Sequence, residues 1–127
     1  MTLKILIAED DTVCRMLLLK ILQAVPSVEI LEAHDGEEAW EILNGATPPD
    51  LCIFDNVMPG ASGLELMERM QGDSRLASIP VFLSSISNNR EEVLKALDLN
   101  AAGFITKPIN EEKVLKMIKP ALDKLMS

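Results

Sequence analysis

A chain of 127 residues, 48% hydrophobic and 25% charged, is long enough to bury its own core and favours one domain over 1–127, with no disulfide or metal staple needed. Its net charge of −8 works against direct contact with nucleic acid or an anionic membrane, and one Trp with no Tyr makes a poor base-stacking platform. Cys14 and Cys52 lack C-x-x-C or zinc spacing, no apolar run approaches the ~20 residues that span a bilayer, and MTLKILIAEDD carries no signal-peptide pattern, so the expectation is a cytoplasmic protein with reduced thiols and no membrane insertion.

Leu3 to Ala8 (LKILIA) reads as a buried strand that stops at the acids Glu9, Asp10 and Asp11. Thr12 to Ala24 reads as a helix, capped by Asp11 or Thr12 and closed before Pro26. Within it, Val13, Leu17, Leu18, Ile21 and Leu22 form the expected core stripe, with Met16 and Leu19 on another face. Val28 to Ala33 is a second, weaker strand. Gly36 to Asn44 (GEEAWEILN) is a helix with acids in its first turn and Gly45 just past its end. Pro48-Pro49 leads into Leu51 to Phe54, a third strand ending at Asp55. A Met58-Pro59-Gly60 loop follows, then a helix from Gly63 to Met70. Pro80 opens the fourth strand, VFLSS, which ends at Ser84 and Ser85. Arg90 to Leu99 is a helix, Gly103 to Thr106 a fifth strand, and after Lys107-Pro108 the chain closes with a helix from Glu111 to Met126. Phe82 and Trp40 are expected in the core.

Strands joined by helical crossovers run parallel, and near-continuous apolar strands fit a sheet covered on both faces. The fold class is therefore an α/β, doubly wound five-stranded parallel sheet, with strand order 2-1-3-4-5. Ligands of such a sheet bind beyond the carboxyl ends of its strands. Glu9, Asp10, Asp11, Asp55, the Ser84-Ser85 pair and Lys107 all fall at that rim. Clustered carboxylates repel, and need either raised pKa values or a cation. An all-oxygen donor set with room for water suits Mg²⁺. A carboxylate beside a metal, a hydroxyl and a lysine has the parts of a phosphoryl-transfer site: nucleophile, Lewis acid and oxyanion stabilisers. Singly these residues read as a helix cap, a turn former, a loop hydroxyl and a solvated lysine. Their convergence on one rim favours the chemical reading.

The segments ILIAEDD, LCIFDNVMPG, PVFLSS and AAGFITKPI, in this order and spacing, resemble the receiver domain of two-component response regulators, a flavodoxin-like (βα)5 fold, over essentially the whole chain. The resemblance implies that Asp55 is the phosphoacceptor. It implies a Mg²⁺ ion held by Asp10, by Glu9 through water, by Asp55 and by the backbone carbonyl of Val57. Ser85 and Lys107 would contact the phosphoryl group, Ser85 and Phe104 would form the switch, and the Lys107-Pro108 peptide would be cis. Asp11 matches no required role and reads as a cap. The implied activity is acceptance of a phosphoryl group from a phosphohistidine, on a histidine kinase or a histidine-phosphotransfer protein. The change would be read by a downstream effector protein or output domain at the surface of the fourth helix, fifth strand and fifth helix. Such a domain assists its own phosphorylation and dephosphorylation and is not an enzyme with an external substrate.

Some positions depart from the family's common pattern. Ile86 is bulky where Ala or Gly is frequent, and is expected to modulate access to the phosphoryl group. Ile109 replaces a common Phe, Phe104 lacks the hydroxyl of the frequent Tyr, and GASG stands for G-x-D-G. A phosphatase of the aspartyl-phosphate class would want a second Asp at position 57, which is Val. A flavin carrier would want a hydroxyl-rich phosphate loop where this chain has acids. A pseudo-receiver usually lacks an acid, the acceptor or the lysine, and all are present here.

Overall fold

The computed structural model describes residues 2–86 and 90–127. Its elements in chain order are β1 (Leu3–Ala8), α1 (Thr12–Gln23), β2 (Val28–Ala33), α2 (Gly36–Leu43), β3 (Leu51–Asp55), α3 (Gly63–Gln71), β4 (Val81–Ser85), α4 (Arg90–Asp98), β5 (Gly103–Thr106) and α5 (Glu111–Met126). The strands pair in parallel in the order β2-β1-β3-β4-β5, the doubly wound architecture expected from the sequence. Helix starts follow local chemistry: Asp11, Asp35, Ser62 and Asn110 each accept a bond from a first-turn N–H at 2.8–3.1 Å. α1 and α2 each end one residue earlier than expected, because Ala24 and Asn44 serve as C-caps. Pro120 sits inside α5 and removes one backbone donor, but it is exposed and the helix continues to Met126.

Strand side chains alternate between the two faces, and each face carries its own core. Ile5, Ile7, Leu51, Ile53, Phe82 and Ile105 pack under α1 and α5. Leu6, Ala8, Cys52, Phe54, Val81 and Leu83 pack under α2, α3 and α4. Phe82 is buried as expected, and Trp40 is half-buried with the Arg69 guanidinium 5.4 Å above its ring.

The expected core stripe of α1 needs correction. Of the five expected residues the helix buries Leu18, Ile21 and Leu22, while Val13 and Leu17 are 66% and 41% exposed. The buried stripe is narrower than expected and lacks its N-terminal member Val13 and its flank Leu17. With so many apolar residues in TVCRMLLLKILQ, periodicity alone does not mark the edges of the stripe, and the docking of Leu18 and Leu22 on β1 decides them.

Gly63, the first residue of α3, fixes how closely that helix meets the end of β3. A Cβ there would lie 2.7 Å from both the Asp55 carbonyl oxygen and Leu83 Cδ1. Gly63→Ala is expected to cost roughly 1–3 kcal/mol, as overpacking does. A urea titration beside the wild type checks this, and an unchanged midpoint would contradict the close approach.

Candidate functional site

The alternation that builds the two cores also gathers the polar rim. Glu9 continues the face of Ile5 and Ile7, Asp55 that of Leu51 and Ile53, and Lys107 that of Ile105. With β1 beside β3 and β4 between β3 and β5, these residues meet above one end of the sheet. Lys107 Nζ lies 2.9 Å from Glu9 Oε1 and 3.3 Å from Asp55 Oδ1. One ammonium thus bridges two buried carboxylates. Asp10 adds a third: ligand oxygens of Glu9, Asp10 and Asp55 lie within 4.8 Å of one another, with Asp10 exposed to solvent.

The electrostatics follow from burial. Burial pushes the Glu9 carboxyl up to about 7; the hydrogen bond from Lys107 opposes this, and the nearby Asp55 reinforces it. For Lys107, burial alone would lower the ammonium. The hydrogen bond to Glu9 and the charges of Asp55 and Glu9 outweigh it, and the group is held above its ordinary range. Three convergent carboxylate donors, one burdened by neighbouring negative charge, fit a small oxygen-seeking divalent cation.

The other residues expected at the site are placed differently. The Lys107-Pro108 peptide is cis. The Val57 and Ile86 side chains are 71% and 78% exposed and stand out into solvent. Ser85 and Phe104 belong to the opposite face, with Leu83 and Phe54, and both are half-buried. Phe104 packs against that core and lines a cavity of about 280 Å³ between β5 and α5, together with Lys113 and Met117.

Two residues escaped the sequence reading. Arg15 donates through its guanidinium to the Glu9 carbonyl at 2.9 Å and pairs with Glu32 at 3.5 Å, bracing the end of β1. The signal was a lone basic residue one turn beyond the acids. Asn56 is buried immediately after Asp55. Its N–H donates to the Ser84 carbonyl at 3.0 Å and its carbonyl accepts from Gly63 at 3.1 Å. A polar residue extending an apolar strand was the available sign.

The response regulator receiver domain family matches residues 5–119. This chain belongs to that family. It is 28% identical to chemotaxis protein CheY1 of Helicobacter pylori over 120 residues, covering 94% of this chain and 97% of the relative. Among solved structures, it resembles the phosphorylated cyanobacterial phytochrome response regulator RcpA, with TM-score 0.84 and 27% identity over 100% of this chain and 96% of that one. It also resembles the Mn(2+)-bound form of response regulator Rcp1, with TM-score 0.81 and 25% identity over 93% of this chain and 90% of that one. As a receiver domain it has a phosphoacceptor function in two-component signalling, and it acts as a signalling domain. Among the described residues, no helix is long and apolar enough to cross a membrane.

Proposed function

We propose that Asp55 is the phosphoacceptor and that its phosphorylation changes partner binding at the surface formed by α4, β5 and α5. The observation that carries this is the Lys107 ammonium held between Asp55 and Glu9 at the carboxyl ends of the strands. Asp55 Oδ attacks the phosphorus of a phosphohistidine in line; the new O–P bond forms as the N–P bond breaks, and the imidazole leaves. Lys107 is already within reach of Asp55, and neutralises charge on the transferred group without reorganising. Glu9, Asp10, Asp55 and the Val57 carbonyl would hold Mg²⁺, which supplies further charge neutralisation for the phosphoryl oxygens when bound.

The product adds about −1.5 to −2 charge at the rim. The Ser85 hydroxyl turns toward the new oxygens and opens room for Phe104, which shares its face of the sheet, to rotate inward. The wall of the cavity that Phe104 lines then changes, and with it the affinity for a downstream effector. The donor docks on α1: Val13, Met16 and Leu17 are exposed directly after the acidic cluster, as an apolar landing site for a helix of a histidine kinase or phosphotransfer protein. A cytoplasmic location and no direct nucleic-acid contact belong to the same reading, supported by the net charge of −8.

Amide chemical shifts with and without Mg²⁺ and beryllofluoride test the switch. The expected result is a metal-dependent change at the Asp55 loop that extends through Phe104 to α5. Changes confined to Asp55 and its neighbours would contradict the switch. Ile86 directly follows Ser85 and is bulky where the family has Ala or Gly; if its side chain swings over the phosphoryl group, Ile86→Ala is expected to raise the rates of phosphoryl uptake and hydrolysis severalfold. Equal rates for the two proteins with acetyl phosphate would remove Ile86 from that role.

A further inference from the structure

The side chain of Asn56 reaches across to α4. Its Nδ2 donates to Glu92 Oε1 at 2.8 Å, between residues 36 apart in sequence, while its Oδ1 accepts from the Leu64 N–H at 3.4 Å. The amide orientation is dictated by its partners: a backbone N–H must face the oxygen, and a carboxylate must face the NH₂. A bond from a buried amide to a carboxylate is charge-assisted, of the stronger class.

This bond matters because α4 is lightly packed. Ala96 is its only buried residue, and Leu94 and Leu97 are more than half exposed. The middle of the helix is anchored by Ala96 and by the ion pair of Lys95 with Glu68 at 2.9 Å. The N-terminal turn is reached by Asn56 through Glu92. The residue that bonds to α4 is covalently next to Asp55, and through its backbone it also holds β4 and the start of α3.

We infer that Asn56 is a positioning residue: its bond to Glu92 latches α4 in the unphosphorylated arrangement, so that α4 reads the state of Asp55 directly and not only through Ser85 and Phe104. The inference rests on Asp55 being the acceptor. By reciprocity, a latch that belongs to the resting state opposes the phosphorylated state, and releasing it from the α4 side must strengthen ligand binding at Asp55.

The test titrates beryllofluoride with Mg²⁺ into wild type, Glu92→Ala, Glu92→Gln, Asn56→Ala and the double alanine variant. Backbone amide exchange in α4 is measured on each without ligand. Glu92→Ala is expected to tighten beryllofluoride binding by about fivefold or more. It should also speed exchange at the start of α4. Glu92→Gln keeps an acceptor for Asn56, and should stay within about twofold of wild type in both readouts. Because Gln removes the same charge as Ala, this separates the bond from a general electrostatic effect. The double variant should bind no more tightly than Glu92→Ala alone.

Unchanged or weakened binding by Glu92→Ala, or a Gln variant that matches Ala, would overturn the latch. Glu92 is on a surface helix, so the result does not depend on Asn56→Ala folding. Failure of wild type itself to bind beryllofluoride would instead overturn the acceptor assignment, and the two failures are distinct.

Discussion

Replacing Lys107 with methionine is expected to slow phosphoryl uptake at Asp55 by about 10²–10³, the usual cost of removing one preorganised electrostatic group. The ammonium lies 3.3 Å from the Asp55 carboxylate and 2.9 Å from Glu9, so with Asp55 as the proposed acceptor it would neutralise charge there before and during transfer. The same substitution has an opposite effect on the metal. Removing a fixed positive charge from beside three carboxylates is expected to tighten Mg²⁺ binding by about tenfold, since 1.4 kcal/mol is a modest interaction at this range. Slower uptake together with tighter Mg²⁺ binding, by acetyl phosphate kinetics and metal titration, is the distinguishing pattern. Weaker Mg²⁺ binding would mean that Lys107 supports the metal site by shaping it, and would contradict the electrostatic account.

Replacing Glu9 with glutamine is expected to raise metal-free stability at about pH 8 by ~2–3 kcal/mol and to change it little near pH 4.5. The sign follows from burial. The Glu9 carboxyl ordinarily titrates near 4.5 and is raised to about 7 in the folded chain. Below about 4.5 it is protonated in both states, and its ionisation costs nothing. As pH rises toward about 7, the unfolded chain gives up the proton first and stability falls; above about 7 the full cost is present. Glutamine removes this loss. Denaturant titrations across this range check it, and parallel pH profiles for variant and wild type would contradict it. Mg²⁺ binding must expel the same proton, so its apparent affinity for wild type should fall about tenfold per pH unit below about 7 and level off above. The variant should lose that slope.

The sequence made the rim legible because two simple periods determine it. Apolar strands with helical crossovers specify the sheet order, and alternation along β1, β3 and β5 puts Glu9, Asp55 and Lys107 on one face. Hence Glu9, Asp10, Asp55 and Lys107 could be placed at one rim from strand ends alone, and the structure brings these four side chains together; their individual roles came from the family resemblance. Three things were not legible. The edges of the buried stripe on α1 depend on packing against β1, and leucines at consecutive positions hide them. The Arg15 brace and the Asn56 bond to Glu92 join elements distant in sequence, and no local pattern reports such contacts. The clustering predicted a raised pKa or a cation, but that Glu9 is the raised group needs burial and distance, which spacing does not supply.

The most direct test of the central claim is intact mass after incubation with acetyl phosphate and Mg²⁺, for wild type and Asp55→Asn side by side. One phosphoryl adduct is expected on wild type, lost when Mg²⁺ is chelated and absent from Asp55→Asn. An adduct that persists in Asp55→Asn, or a wild type that binds Mg²⁺ yet gains no mass, would contradict it.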